Sequence, residues 1–334
     1  MQLGPHTLKN PWIMAPMAGV SEKPYRRIVM EMGASAALTE LVSAKGLIRG
    51  QSKSSHYLSH DENERPFWVQ VFGAEPETMG EAAVKARELG AEILDLNLGC
   101  PVKKVVKTGA GAALMRDLPR AAKIIEAMVT RSGLPVTAKM RSGWDADSVN
   151  AVEACKLFAD HGCAAVCIHG RTRAQGYSGR ADWSVITEAA RVSPIPVIGN
   201  GDIHTADEAR ARLRESGCAA VMIGRGAMGN PWIFGELSGQ RSGGPMPEER
   251  LEMVRRHLTE QVAFIGRELA AIRRFRQHLM WYSRGLRGSA EFRRQALRTD
   301  SLAGVMALCE QFFLGARADS ASDEPEFDDA TALG

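Results

Sequence analysis

Cys100 lies in Asn97-Leu98-Gly99-Cys100-Pro101, where a glycine and a proline bracket a thiol in a turn after an apolar run. A thiol with an ordinary pKa of about 8.5 keeps its proton at neutral pH and can give it to a carbanion-like carbon. No His or Asp stands beside it in sequence, so a protease-type nucleophile has no local support, although the fold could supply a partner. A buried cysteine without function is the alternative for any single thiol. The other five, Cys155, Cys163, Cys167, Cys218 and Cys309, form no C-x-x-C pair. That argues against a zinc knuckle, an iron–sulfur cluster or a disulfide framework, and no metal is expected.

Lys139 lies near the end of an apolar run that would anchor it in a barrel wall. A lysine aimed into such a mouth must meet negative charge or lose its own. A flavin meets that need, because its reduction places negative charge at the N1–C2=O edge, where a nearby cation stabilises it. Gln70 and His169, on other runs, carry groups that can bond a ring and a phosphate, though His169 also reads as a satisfied core histidine. The turns Asn200-Gly201-Asp202 and Gly224-Arg225-Gly226 offer backbone N–H groups to an anion, and Arg225 can add a bidentate contact to phosphate oxygens. Tight turns that merely need glycine are the competing account. Two such turns together favour phosphate.

Bringing these residues together is the task of the elements that carry them. Short apolar runs recur at Trp12–Met17, Ala36–Glu40, Trp68–Phe72, Ile93–Asn97, Val136–Met140, Ala165–His169, Val197–Asn200 and Ala220–Ile223. Each interval has room for one strand, one helix and two loops, which predicts an α/β fold, a (β/α)₈ TIM barrel, with every strand C-terminus on one face. Ser21 is expected to cap the first helix, with Gly33 stopping it, and Asp117 to precede another that ends near Gly133. An open doubly wound sheet would favour a G-x-G-x-x-G turn after its first strand, and Ala15-Pro16-Met17-Ala18-Gly19-Val20 is not one. The cluster of Gly, Ser and Pro at Ser238–Pro247 reads as a linker. Beyond it, Glu248–Phe264, Glu268–Tyr282 and Ala290–Phe313 read as three helices of a small bundle. The expected units are thus a barrel over 1–240, a helical domain over 245–316 and an acidic, disordered tail over 317–334.

Charge separates the same units. The chain of 334 residues carries a formal net charge of only +3, yet Pro245–Arg317 holds 13 arginines, no lysine and 8 acids, a net of +5. Residues 318–334 hold 6 acids and no base. No run is long and apolar enough for a membrane span, and the N-terminus has neither a basic n-region nor an apolar h-region, so a cytoplasmic location is expected.

Taken together, Ala15–Val20, Asn97–Val105, Gly109–Met115, Lys139–Trp144, His169–Arg173, Asn200–Ile203 and Gly224–Ala227 resemble the tRNA-dihydrouridine synthases. The spacing is most like the bacterial B branch, and the likeness runs from about Ile13 to Phe313. It implies FMN bound by Pro16, Met17, Ala18, Gln70, Lys139, His169, Asn200, Gly201, Asp202, Gly224 and Arg225, with NADPH as the reductant. Hydride would pass from flavin N5 to C6 of a D-loop uridine, Cys100 would protonate C5, and Asn97 would help hold the base. Arg141, Arg171 and Lys103 are expected to meet the substrate at the mouth, and Arg273, Arg274 and Arg276 to meet tRNA on the helical domain. There, Phe275, Leu279 and Tyr282 would face inward and arginines outward. The uridine must leave its stack to reach the cleft. No protein partner is implied, and a monomer is expected. The main rival is an FMN barrel reductase for a small pyrimidine or enone, which leaves the arginine-rich helices unexplained. A non-catalytic RNA-binding protein on the same scaffold would not need polar residues at so many strand ends.

Overall fold

Residues 1–315 are described by a computed structural model, so the expected acidic tail lies outside the described residues. A short hairpin, Gln2–Leu3 with His6–Thr7, precedes the barrel. The barrel strands are β1 (Trp12–Met14), β2 in two pieces (Ala36–Ala37 and Val42–Ser43), β3 (Trp68–Phe72), β4 (Ile93–Leu98), β5 (Val136–Arg141), β6 (Cys163–His169), β7 (Val197–Asn200) and β8 (Ala220–Ile223). All pair in parallel, β1 with β8 and the first piece of β2, and the second piece of β2 with β3. A bridge from Leu38 to Trp68 joins the two ends of the sheet, so the eight strands close into a barrel. Their residues are buried on both faces by the interior and the surrounding helices, which is why they read as short apolar runs.

Local chemistry explains where the strands depart from those runs. β1 stops at Met14 because Pro16 has no amide to donate and Met17 N donates instead to Ser21 Oγ at 2.8 Å. Ser21 is therefore not the expected helix cap; its hydroxyl donates to Ala15 O and ties the loop upon itself. The helix begins two residues later, at Lys23, and runs to Glu31. Asp117 does cap its helix, accepting from Arg120 N, and Gly133 ends that helix in the left-handed conformation. β2 breaks because Thr39 Oγ1 accepts from Gln70 N at 3.0 Å and donates to Glu40 O. The hydroxyl replaces strand pairing there and lets residues 39–41 leave the sheet.

Past the barrel come helices Pro247–Ile265, Glu268–Tyr282, Ser289–Ala296 and Leu302–Gly315. The expected helix over Ala290–Phe313 is thus two. Asp300 sits in the break, where it accepts from Arg276 at 2.6 Å and pairs with Arg273. Ser301 restarts the helix by accepting from Gly304 N. These helices share a core built on Leu258, Phe275, Leu279, Tyr282 and Phe313, which also takes in Ile28 and Trp232 from the barrel's own helices. In exchange Trp281 packs into the barrel core. No helix among the described residues is long and apolar enough to cross a membrane.

Candidate active site

The C-terminal ends of the strands surround a cleft of about 1170 Å³, counting the part open to solvent. Asn97, at the end of β4, builds the turn that carries the thiol. Its Oδ1 accepts from the amides of Gly99 at 3.3 Å and Cys100 at 2.9 Å, and its Nδ2 donates to Gln70 Oε1 at 2.9 Å. Gln70 donates in turn to Asp95 at 2.8 Å, and Thr137 donates to the other Asp95 oxygen at 2.6 Å. This chain spans β3, β4 and β5 and fixes both amide side chains beneath the mouth. Burial pushes the Asp95 carboxyl up to about 6, against the pull of Thr137, Gln70 and Lys139.

Cys100 is half-buried and lines the cleft. Burial lifts its thiol above the ordinary value, and the Val102 amide and Arg141 offset part of that rise. The group is accordingly an acid at neutral pH, not a standing nucleophile.

Positive charge gathers from the neighbouring strand onward, where Lys139 on β5 stands in register with Asn97 on β4. Lys139 donates to Asn200 Oδ1 at 3.2 Å, and Asn200 is itself fixed by donating to Met222 O at 2.7 Å. Among the described residues Lys139 has no carboxylate within ion-pair distance. His169 accepts through Nδ1 from the Arg171 amide at 3.2 Å, which leaves the ring proton on Nε2. Burial, then Lys139, Arg141, Arg171 and Arg225, hold His169 well below its usual pKa. It is a neutral donor inside a cationic ring. Asp202, at φ 47, answers that charge, taking two bonds from Arg171 and one from Arg225 at 3.0 Å, and hydrogen bonds from Arg171 and Ala181 outweigh its burial to keep its carboxyl low. The turn Arg225–Ala227 opens with no side-chain cap, so its first amides lack an acceptor within the turn. Gly226 is obligatory here, since a Cβ would meet Ile203 O at 2.2 Å.

Every residue expected to hold the cofactor (Pro16, Met17, Ala18, Gln70, Lys139, His169, Asn200, Gly201, Asp202, Gly224 and Arg225) lines this one cleft, with Asn97, Cys100 and Arg141 beside them. Other expectations need correction. Arg171 is 2% exposed and spends its guanidinium on Asp202 and the carbonyls of Ser178 and Gly179, so it braces a loop instead of meeting substrate. Arg141 donates to the carbonyls of Gly99, Thr172 and Gly176 and buttresses the Cys100 turn from within the cleft. Arg276 is pinned to Asp300 and Arg274 bonds Glu22, so neither is an idle outward cation. Lys103 and Arg273 do stand exposed.

Tyr177 escaped the sequence reading. Its ring lines the cleft, 5.0 Å from the Arg225 guanidinium carbon and 5.7 Å from that of Arg141. Nothing local in Gln175-Gly176-Tyr177 announces this. The loop is folded inward by Arg141 and Arg171, contacts that only the tertiary structure provides.

The model of the dihydrouridine synthase family matches residues 13–316. The chain is 40% identical over 318 residues to tRNA-dihydrouridine synthase B of Pseudomonas aeruginosa, covering 94% of this chain and 96% of that one. It is 42% identical over 276 residues to a probable tRNA-dihydrouridine synthase of Rhizobium leguminosarum, covering 83% and 86%. Among solved structures it is similar to an old yellow enzyme homologue of Zymomonas mobilis, with TM-score 0.53, 11% identity and coverage of 72% and 92%. A morphinone reductase variant in complex with tetrahydroNAD gives TM-score 0.55 and 13% identity over 75% of this chain and 92% of that one. At such identities these two speak to the barrel fold alone.

Proposed function

The chain belongs to the dihydrouridine synthase family, and from that premise we propose that it reduces a D-loop uridine of tRNA to dihydrouridine, with FMN held in the barrel cleft and NADPH as reductant. The donor set suits FMN. Lys139, Arg141 and Arg225 line the cleft with one carboxylate, Asp202, among its described lining residues, so an added anion is welcome. The uncapped turn at Arg225 and the Arg225 guanidinium are matched to a phosphate. Gln70 and Asn97 keep hydrogen-bonding capacity beyond the bonds they make with each other. Held there by these residues, FMN would supply hydride chemistry to C6 of the base.

The chain's own residues do the rest. The observation that carries the reading is that Cys100 and Lys139 open onto one cleft, a protonated thiol together with a cation that, among the described residues, has no carboxylate within ion-pair distance. Cys100 gives its proton to C5, and the thiolate left behind is eased by Arg141 until water reprotonates it. Asn97 holds the base near that turn. Exposed Lys103, Lys104 and Lys107 beside the mouth, and Arg273 on the C-terminal helices, supply cations for the RNA backbone.

The test is direct. Purified protein incubated with FMN, NADPH and unmodified tRNA should form dihydrouridine, counted by nucleoside mass spectrometry. Reduction of free uracil or enones with no change in tRNA would move the assignment to the small-substrate reductase. Within the site, Arg225→Met should weaken FMN binding about 10- to 100-fold, the loss expected of one charge-assisted contact to phosphate. Riboflavin, which lacks the phosphate, should bind wild type and variant alike. An equal loss for both ligands would place Arg225 elsewhere.

A further inference from the structure

The loop after β1 forms part of the cleft wall through Pro16, Met17 and Ala18, yet much of its support comes from behind. Glu40, in the break of β2, and the His278 ring on the Glu268–Tyr282 helix both lie against the Gly19 backbone, whose amide favours the charged carboxylate and whose carbonyl favours the protonated imidazole. Gly19 itself sits at φ +70, a conformation that leaves few residues able to replace it. Three residues on, Glu22 is 5% exposed and accepts from Arg274 at 2.6 Å and from Gln261, so two C-terminal helices hold it. Arg274 also bonds the Tyr57 hydroxyl of the barrel. The phosphate turn is gripped from the same side. Tyr25 Oη donates to Ala227 O, and Gly229 lies so close to Trp281 that a Cβ would meet its backbone at 2.4 Å. Glu40, 4% exposed with Oε1 unpartnered, completes the cluster. Burial, and then the charge of Glu22, raise its carboxyl to about 7, so it stays largely protonated below neutrality and tolerates Glu22 beside it.

We propose that Arg274 and Glu22, with Glu40 behind Gly19, are positioning residues for the cofactor: the C-terminal helices set the β1 loop through this ion pair, whose carboxylate is buried and whose guanidinium is partly exposed, and Arg274 serves the cleft more than the RNA. The link rests on the reading of the cleft as an FMN site. Its geometric half, a loop held from the helical side, does not. Arg274 presents a planar fork to partners on two separate elements, Glu22 and Tyr57, a use of guanidinium that lysine or methionine cannot reproduce.

The decisive comparison is Arg274→Met against Arg273→Met, a neighbour on the exposed face of the same helix. Arg274→Met should weaken FMN binding about tenfold and leave tRNA affinity, measured at saturating FMN, within about twofold. Arg273→Met should do the reverse. Hydrogen exchange at the Ala18–Val20 amides should quicken about tenfold in Arg274→Met with no flavin present. That readout survives even if the wild-type protein proves not to bind FMN, an outcome that would sink the functional reading and leave the link standing. Two controls guard against a stranded carboxylate as the cause. Glu40→Gln, which can still accept from Gly19, should bind FMN normally, whereas Glu40→Ala should not. The double variant Glu22→Gln with Arg274→Met, which buries no lone charge, should remain defective. Normal FMN binding and normal exchange in Arg274→Met, or full recovery in the double variant, overturns the proposal.

Discussion

Cys100→Ala should bind FMN as well as the wild type does and form dihydrouridine at least about a hundredfold more slowly, the usual contribution of a positioned general acid. The two properties separate because the thiol belongs to the β4 turn, which Asn97 shapes through the backbone amides of Gly99 and Cys100. Those amides survive the substitution. Serine should not rescue the rate, since a hydroxyl is a far weaker acid than a thiol. The pH profile carries a signed expectation. Burial raises the thiol above its ordinary value, so the donor form persists through neutrality, and the wild-type rate should fall only when alkali removes that proton. A decline centred near pH 7 would assign the proton to another group. An alanine variant that turns over within about threefold of wild type removes Cys100 from the chemistry altogether.

Lys139→Met should keep FMN but slow its reduction by NADPH on the order of 10- to 100-fold, followed as loss of the flavin's visible absorbance. Lys139 is held at its tip by Asn200 and, among the described residues, meets no carboxylate within ion-pair distance. A cation so placed is available to negative charge that grows on the ligand. Removing it should also make the bound flavin harder to reduce, which redox titration reads without any substrate. His169 offers an internal check. Lys139 is second only to burial in holding that imidazole low, so its pKa, followed by NMR, should rise in the variant. If the potential and the His169 shift both stay put, Lys139 does not face the ring.

How much of this was legible in the chain depends on the range of the forces involved. β3, β7 and β8 begin and end where their apolar runs do, because strands buried on both faces leave a contiguous mark. That the residues expected to hold the cofactor would share one cleft was legible for a related reason, since a barrel places whatever follows its strands on one face. What escaped was decided by side chains meeting across the fold. A helix cap could be read at Asp117, where the acceptor and its amide lie three residues apart. At Ser21 the same residue type was diverted to Met17 and Ala15. The break at Asp300 answers to arginines on another helix, and the burial of Arg171 answers to a carboxylate on another strand end. An arginine's type says that it wants an anion. Whether the anion is RNA or a neighbour is settled only by folding.

The exchange of core residues, with Ile28 and Trp232 in the helical core and Trp281 in the barrel core, bears on anyone who would redirect this scaffold. A chimaera that transplants only the C-terminal helices from a relative, hoping to re-aim the barrel at another nucleotide, would cut through both cores and through the Glu22 bonds. The transferable module is larger than the linker suggests. It includes the Lys23–Glu31 and Trp232–Ser238 helices, and the graft should be drawn around those seams.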